Sequence, residues 1–250
     1  MPKGLTSKAK KSVQSTLQFS STPVVIKCTK CLMTYSNTSP SDLLQHKQYH
    51  DLRLNGKKWS NSWGDVVTRM EPRKGSPCSN YQSDEYIVMI SPKKPKEVKA
   101  TLELLTIVND ELNAPHDENA FWSEINESGG QQGKAFVYIK NNRAVGVITV
   151  EYIENTHRGK WMVLETKSIV PKVVPDVKLG ISRIWVCRNQ RNQKIATRLL
   201  ESARIKSIYG CVVNKWEMAW SQPSQSGSKL AESYNAVKHG SGKLLIPCYI

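Results

Sequence analysis

The sequence predicts a mixed α/β (α+β) fold for the larger, C-terminal part of the chain, preceded by a smaller unit rich in cysteine and histidine. β-rich runs alternate with amphipathic helical stretches over residues 85–250, which is typical of a sheet flanked by helices. Residues 24–58 hold two cysteines and two histidines at close spacing. A chain of 250 residues suffices for one full core and one small attachment.

Residues 1–23 are predicted to form a disordered basic tail. They carry several lysines, no acidic residue and too few apolar side chains to order themselves. Residues 59–84 are predicted to link the two units, because 71–84 are rich in turn-forming residues and poor in apolar ones. The larger domain is therefore expected over residues 85–250.

The first half of this domain is expected to contain a strand, a helix and a hairpin. Residues 86–90 form the predicted strand, and residues 95–112 form a helix whose apolar residues recur every three to four positions. Residues 135–139 and 144–150 are β-rich, and Asn141, Asn142 and Arg143 between them favour a turn. This pattern indicates an antiparallel hairpin.

The second half is expected to alternate strands and helices. Strands are predicted at 181–187, 212–220 and 243–249, and helices at 194–207 and 228–237. The first of these helices places Ile195, Leu199 and Ala203 on one apolar face. We therefore expect a central mixed sheet flanked by helices.

The chain is strongly basic, with a formal net charge of +15 and a pI of about 9.6. Such a balance favours negatively charged partners, and nucleic acid or chromatin is the usual one for a soluble protein. The longest apolar run, residues 144–150, is far shorter than the roughly 20 residues that cross a bilayer, and the start lacks the apolar stretch of a secretory signal. We expect a soluble intracellular protein without a membrane partner.

Cys28, Cys31, His46 and His50 have the spacing of a zinc-binding set. Two thiolates from a tight turn and two imidazoles one helical turn apart form a tetrahedral zinc site. A chance coincidence of these residues is the alternative. A lone finger is more often a structural or interaction module than a reader of DNA sequence, but its basic surroundings allow weak, salt-sensitive contacts with DNA.

A polar turn follows the predicted strand at 181–187 and leads directly into the helix at 194–207. The free N–H groups and the dipole at a helix N-terminus favour an anion such as a pyrophosphate. Arg191 and Lys194 add positive charge to this turn. On composition alone, an ordinary strand, turn and helix with solvated basic residues is the alternative.

This turn resembles the acyl-CoA loop of the GNAT acetyltransferases, with Arg191 at its first position and Ala196 at its last. Lys194 stands where that loop has its first glycine, a departure that also marks the sister-chromatid cohesion establishment acetyltransferases, the Eco/ESCO family. Further segments resemble the same family: residues 111–119, 181–186, 220–223, 227–231 and 241–245. The resemblance implies a GNAT-type domain preceded by a ββα-like zinc finger.

The resemblance also implies a binding site for acetyl-CoA. The strand residues that would line the thioester and pantetheine through backbone groups are Ile184, Trp185 and Val186. The residues that would hold the pyrophosphate are Arg191, Asn192, Gln193, Lys194, Ile195, Ala196 and Thr197. Those that would touch the cofactor from the far side are Ser224, Gln225 and Ser226. A plain core aromatic is the alternative for the side chain of Trp185.

For the proton transfer that a lysine acceptor needs, the resemblance places Glu201 at a catalytic acidic position and Ser182 near the substrate lysine. A second acidic position of some family members is occupied by Gln222 here, which leaves a two-carboxylate mechanism open. His116 and His239 are alternative acid–base residues.

Helical periodicity gives a different interpretation of Glu201. At about 100° per residue, its side chain projects roughly opposite the apolar stripe of its helix. Arg198 and Arg204 lie three residues to either side and would pair with it on the helix surface. By this pattern Glu201 is a surface acid, and only the resemblance favours catalysis.

The activity that the resemblance implies is transfer of acetyl from acetyl-CoA to lysine on the SMC-type ATPase head of cohesin, in the nucleus during DNA replication. Acetylation of histones or other chromatin lysines is the alternative acceptor, since a fold does not determine its substrate. A non-catalytic zinc-finger protein that binds DNA or acts as an adaptor is the alternative from another class.

The tail offers an incomplete docking motif for the sliding clamp PCNA. Gln14 and Leu17 match the glutamine and aliphatic positions of such motifs, whereas Ser20 and Ser21 stand where an aromatic pair is expected. Since buried aromatic residues usually provide most of the binding energy, we expect weak docking. A solvated tail without a partner is the alternative.

Overall fold

The structure is a computed structural model that describes residues 25–70, 85–116, 133–154 and 158–249. Its first unit is a short antiparallel hairpin, β1 (Val25–Lys27) and β2 (Thr34–Ser36), followed by helix α1 (Pro40–Asn55). Helix α1 begins where it does because the Ser39 side chain accepts a hydrogen bond from the amide of Asp42 and a proline occupies the first turn. The expected ββα-like finger is confirmed.

The rest of the described chain forms one large sheet with helices packed on it. Its strands are β3 (Lys57–Lys58), β4 (Asp65–Arg69), β5 (Glu85–Met89), β6 (Gly133–Lys140), β7 (Arg143–Tyr152), β8 (Gly159–Val163), β9 (Ile169–Val170), β10 (Leu179–Val186), β11 (Met218–Trp220), β12 (Val237–Lys238) and β13 (Leu244–Tyr249). Its helices are α2 (Pro95–Leu112), α3 (Ile195–Lys206) and α4 (Gln225–Asn235).

The sheet is mixed, as predicted. Its main path runs β4-β5-β6-β7-β10-β11-β13-β8-β9, while β3 pairs with β7 and β12 pairs with β13. Strand β10 is antiparallel to β7 and parallel to β11, and α3 makes the connection between the two parallel strands. A parallel pair joined by a helix places both following helices at the same end of the sheet.

Helices α2 and α3 cover opposite faces of β10. The indole of Trp185 bonds to Glu111 in α2, whereas its neighbour Val186 lies opposite Gly146, against which α3 packs. A Cβ added at Gly146 would lie 3.1 Å from side-chain atoms of both Ile195 and Leu199. The glycine therefore permits the close approach of α3 to the sheet.

Several predicted elements are confirmed by the structure. Helix α2 spans the predicted residues 95–112. The hairpin of β6 and β7 turns at Asn141 and Asn142, whose φ angles of 49° and 56° are the left-handed values that a tight hairpin turn requires. The helix predicted at 194–207 is α3, and the one at 228–237 is α4, which begins three residues earlier.

Three sequence-based expectations differ from the structure. The strand predicted at 212–220 is confined to Met218–Trp220, because Lys215–Glu217 form a 3-10 turn with a capping box. Strands β8 and β9 were not predicted, since they have only five and two residues. Part of the predicted linker, residues 59–84, belongs to the sheet: β4 pairs antiparallel with β5, and Trp59 is 4% exposed.

The finger is joined to the larger domain by backbone and side-chain contacts. Strand β3, which lies in the predicted finger at 24–58, pairs with β7. The guanidinium of Arg143 in β7 donates to the backbone oxygens of Asn55 and Gly56 and to the carboxylate of Asp51. The boundary between the two units is thus a packed contact, which residue composition could not indicate.

Within the described residues, no helix is both long and apolar enough to cross a membrane.

Candidate functional site

The four predicted zinc ligands converge in the structure. The ligand atoms of Cys28, Cys31, His46 and His50 all lie within 4.8 Å of one another. The Nε2 atom of His46 is buried and lacks a hydrogen-bond partner among the described residues, as expected of an atom reserved for a metal. Tyr35 stacks on the His46 ring with 3.9 Å between ring centroids and fixes its orientation.

The two thiols of this set have different surroundings. The backbone amide of Cys31 lowers the pKa of Cys28 to about 6, whereas burial raises the pKa of Cys31 above its usual value. Zinc binds the thiolate form and stabilises it, so a closed set of two thiolates and two imidazoles fits a structural zinc ion.

A gap opens in the large sheet where β10 and β11 separate. The two strands are paired only between Leu179–Ile181 and Met218–Trp220. The last links are from Ser221, whose N–H donates to the carbonyl of Ile181 and whose hydroxyl donates to the carbonyl of Ser182. Beyond Ser182 the edge of β10 that faces β11 has no strand beside it, and the register of β10 against β7 shifts at the same point.

The backbone of β10 presents polar groups to this gap. The N–H of Cys187 donates to Val145 in β7, and successive N–H groups of a strand point in alternate directions. The amides of Ile184 and Val186 therefore point away from β7, toward the gap. Trp185 does not: its backbone faces β7 and its side chain, 3% exposed, packs against α2. Of the three predicted lining residues, Ile184 and Val186 are thus placed to act through backbone groups.

The turn after β10 leads into the N-terminus of α3, where backbone amides have no acceptor within the helix. The first intrahelical bond of α3 runs from Arg198 to the carbonyl of Lys194, and the side chain of Lys194 does not cap the helix. The amides of Ile195, Ala196 and Thr197 therefore have no acceptor within the helix. Lys194 has a φ of 61°, a left-handed value that glycine adopts more easily, which explains why related loops carry glycine there.

Two side chains of this turn form hydrogen bonds that stabilise its conformation. Arg191 donates through Nε to the carbonyl of Val186 at 2.9 Å and through its terminal nitrogen to Glu111 at 2.8 Å. Gln193 accepts a hydrogen bond from Lys140 in β6 at 3.0 Å. Arg191 and Gln193 were predicted as cofactor contacts, and the structure places them as supports for the backbone that presents the free amides.

Glu111 is a functional candidate that the sequence did not single out. It is the first residue of the segment 111–119, which resembles the Eco/ESCO family. Its carboxylate accepts hydrogen bonds from Trp185 and Arg191 and also lies near Arg53 and Arg188, with 9% of its side chain exposed. No spacing rule could have shown this, because the partners come from distant parts of the chain.

The second helix that starts at the gap is α4, and its N-terminus is capped. The hydroxyl of Ser224 accepts from the amide of Gly227 at 3.2 Å. Ser224, Gln225 and Ser226 are exposed at the same end of the sheet as the turn after β10. Their contact with the cofactor from the far side of the gap stays a prediction, and Ser224 also caps the start of its helix.

Glu201 lies on α3, away from the apolar face. Its carboxylate accepts from Arg204 at 2.6 Å and from the hydroxyl of Tyr234 in α4 at 3.0 Å, and Lys215 lies 3.7 Å away. Burial raises the pKa of Glu201, but the bonds from Arg204 and Tyr234 outweigh it and hold the pKa below its usual range. Arg198 does not pair with Glu201 but binds Tyr138 and Glu85.

Glu201 also lines a surface cleft of about 280 Å³ between α3 and β4, together with Lys194 and Thr197. No hydrogen bond joins Glu201 to Ser182 in the described part of the chain: Ser182 contacts Arg183 and Ser221 instead. The two predicted catalytic residues are therefore not a hydrogen-bonded pair. Gln222, which follows Ser221, is exposed beside the gap.

The alternative acid–base residues lie elsewhere. His116 pairs with Asp110 beyond the end of α2, and His239 bonds to Ser241 in an exposed turn. Gln14 and Leu17, the predicted clamp-docking pair, lie outside the described residues.

Two family models match this chain, one described as ESCO1/2 acetyl-transferase over residues 175–243 and one as the zinc-finger of acetyl-transferase ESCO over residues 14–52. N-acetyltransferase ECO1 of Kluyveromyces lactis is 68% identical, and the match covers 100% of both chains. The chain belongs to the Eco1/ESCO family of N-acetyltransferases.

Other members of the Eco1/ESCO family agree with this placement. N-acetyltransferase ECO1 of Saccharomyces cerevisiae is 44% identical, over 95% of this chain and 94% of its own. The solved xEco2 acetyltransferase domain bound to a lysine–CoA conjugate is 23% identical, with a TM-score of 0.52, over 74% of this chain and 97% of that one. The latter likeness confirms the GNAT-type fold, and the finger model together with the four converging ligands confirms the zinc site.

Proposed function

We propose that this chain transfers the acetyl group of acetyl-CoA to a lysine side chain of the cohesin SMC ATPase head, and so secures sister-chromatid cohesion during DNA replication. Family membership along the full length supports the transfer reaction. The observation that carries the proposal is the gap between β10 and β11, which opens beside the free N-terminus of α3.

Acetyl-CoA supplies an activated thioester when it is bound. The pyrophosphate fits the free amides of Ile195, Ala196 and Thr197, because unpaired donors and the helix dipole both favour an anion. Exposed Asn192 and Lys194 border the same turn. The gap beside Ile184 and Val186 provides the slot for the extended pantetheine arm.

The chain's own groups account for the chemistry of transfer. The lysine amine, once deprotonated, forms a bond to the thioester carbonyl carbon, and the carbon–sulfur bond breaks to release the CoA thiolate. The amide of Val186 or Ile184 stabilises the oxyanion that develops on the carbonyl oxygen. Glu201 is the proposed acceptor of the lysine proton: its carboxylate is ionised at neutral pH, but the bonds from Arg204 and Tyr234 that lower its pKa also weaken it as a base. Ser182 lies on β10 at the start of the gap.

The substrate and location are supported by charge and family. A net charge of +15 suits a nuclear protein that works beside DNA, and non-specific phosphate contacts of the basic finger would keep it near chromatin. Histone or other chromatin lysines are the competing acceptors. A non-catalytic adaptor is disfavoured because relatives that match this chain along nearly its full length are named N-acetyltransferases.

The deciding experiment is mass spectrometry of purified cohesin incubated with this protein and acetyl-CoA. We expect acetyl-lysine on the SMC head and far less on nucleosomal histones at equal concentration. Preferential histone modification would replace the proposed substrate. Acetyl-CoA binding in calorimetry without transfer to any acceptor would instead support an adaptor.

We also propose that the tail docks weakly on PCNA through Gln14 and Leu17. The basic run Lys8, Lys10 and Lys11 would steer it toward acidic surface. The test is capture of PCNA by residues 1–25, with and without Gln14→Ala and Leu17→Ala together. Loss of capture in the double variant supports docking, whereas equal capture by both peptides, or by neither, excludes it.

A further inference from the structure

The carboxylate of Glu111 contacts four side chains from three separate elements. It accepts hydrogen bonds of 2.8 Å from the Trp185 indole of β10 and from Arg191 of the following turn. The Nε atoms of Arg53, in α1, and Arg188 lie 3.3 and 3.5 Å from its oxygens. One acidic group thus joins the finger helix, β10 and the turn that leads into α3.

Glu111 lies at a position where a carboxylate does not stabilise its own helix. It lies in the last turn of α2, where the helix dipole disfavours a carboxylate, and that turn holds no basic residue. Burial raises the pKa of Glu111, but bonds from Trp185 and Arg191 and the nearby guanidinium charge hold the pKa below its usual value. A carboxylate kept ionised at this place, with 9% of its side chain exposed, indicates a purpose other than supporting α2.

Two of its partners support parts of the proposed cofactor site. Arg191 spans Glu111 and the carbonyl of Val186, so it sets the distance between the end of β10 and the turn. Trp185 precedes Val186, whose amide faces the gap. Asn109, two residues earlier in α2, supports the same strand by accepting a 2.8 Å bond from Arg183.

The same contacts keep the guanidinium of Arg191 away from the free amides of α3. Because Arg191 is engaged with Glu111 and Val186, its guanidinium does not fold over the N-terminus of α3. Without the carboxylate, Arg53, Arg188 and Arg191 would repel one another across a nearly buried space, and the turn would lose its fixed path.

We infer that Glu111 is a positioning residue for acetyl-CoA: it holds the turn at 188–194 and the end of β10 in the shape that receives the pyrophosphate. This inference rests on the proposed function. It concerns binding of the cofactor and not recognition of the acceptor, because Trp185 and Arg191 belong to the end of β10 and the turn that would receive acetyl-CoA.

The test uses the full-length protein and the variants Glu111→Gln and Glu103→Gln. Glutamine keeps an acceptor for Trp185 but removes the charge that gathers the arginines. Glu103 is the matched control, because it lies in the same helix and pairs with Lys57 at 2.6 Å, but it is half exposed and remote from the turn. Calorimetry measures the acetyl-CoA Kd, and steady-state kinetics measures KM for acetyl-CoA and for a lysine peptide separately.

We expect Glu111→Gln to weaken acetyl-CoA binding about 10-fold, with an unchanged KM for the peptide, and Glu103→Gln to bind as the wild type does. Equal Kd values for wild type and Glu111→Gln would overturn the inference while leaving the proposed function intact. A wild-type protein that binds no acetyl-CoA would overturn both.

A second variant covers the case in which Glu111→Gln does not fold. Arg191→Lys keeps the positive charge, but its single ammonium cannot span Val186 and Glu111 as the guanidinium does. We expect the same selective rise in the acetyl-CoA Kd. A folded Arg191→Lys protein with wild-type affinity would overturn the inference.

Discussion

The guanidinium of Arg188 donates to the backbone carbonyl of Lys30 at 2.7 Å, although 158 positions separate the two residues. Lys30 lies between Cys28 and Cys31 in the metal-binding turn, and Arg188 lies in the turn that follows β10. The zinc site and the proposed cofactor site are therefore in direct contact, and a change at one is expected to reach the other.

Loss of the metal should test this contact. Cys28→Ser removes one of four ligands, so we expect the protein to lose stoichiometric zinc, melt at a lower temperature and bind acetyl-CoA several-fold more weakly. Cys211→Ser, which changes a free cysteine outside the set, should do none of these. Metal analysis of the purified variants decides the matter, and retention of full zinc by Cys28→Ser would refute the ligand assignment.

The first turn of α3 should not tolerate a large side chain. Ala196 is half-buried beside the free amides, and Ala196→Trp would place an indole where the pyrophosphate approaches. We expect the acetyl-CoA Kd to rise by about 100-fold in a folded protein, as measured by calorimetry. Tyr209→Trp, at a fully exposed position in the turn after α3, is the control and should bind normally. Unchanged affinity in Ala196→Trp would exclude this turn as the pyrophosphate site.

The left-handed backbone at Lys194 makes a prediction about stability. Lys194→Gly should raise the free energy of unfolding by about 1 kcal/mol, because glycine adopts a φ of 61° without the Cβ clash. Thr197→Gly, within the regular part of α3, should lower it by roughly 0.5 kcal/mol. Urea denaturation measures both, and a destabilised Lys194→Gly would show that the lysine side chain itself stabilises the turn.

Glu201 can be tested against its structural neighbours. If it accepts the lysine proton, Glu201→Gln should reduce kcat by about 100-fold with little change in the acetyl-CoA Kd. Arg204→Gln breaks the 2.6 Å bond to the same carboxylate but leaves the carboxylate in place, so kcat should largely persist. Equal kcat losses in the two variants would assign Glu201 a structural role between α3 and α4.

The lowered pKa of Glu111 predicts how stability depends on pH. A carboxyl group whose folded pKa is below its unfolded value of about 4.5 stabilises the protein fully above that pH. The contribution is then lost as the pH falls through the lower, folded pKa. Glu111→Gln should therefore flatten the acid limb of the stability curve, as followed by urea unfolding at several pH values between roughly 3 and 6. An acid limb identical to that of the wild type would contradict the assignment.

Local sequence patterns were sufficient for the elements and the metal site, but not for the support of the cofactor turn. Helix α2 and the Asn141–Asn142 hairpin follow from periodicity and turn chemistry, which act over a few residues. The four zinc ligands follow from spacing for the same reason.

What the sequence missed depends on contacts between distant segments. Glu111 gains its importance only when Arg53, Trp185 and Arg191 are brought around it. Strand register, not residue type, decides which amide faces the gap, so the sequence could not show that the backbone of Trp185 faces β7. Strand β4 was not predicted because its partner β5 follows only after residues 71–84, so no local pattern indicates the pairing.

The pairing of β3 with β7 has a consequence for synthesis on the ribosome. Gly56 and Arg143 are hydrogen-bonded across 87 positions of chain, so the finger emerges long before the strand that receives it. The finger can bind its metal early, since the four ligands lie within residues 28–50. The pairing of β3 with β7 has to wait until β6 and β7 have been translated. Until then, β3 of the metal-bound finger has no strand to pair with. A shortened product that ends before β7 would therefore keep its finger without this contact.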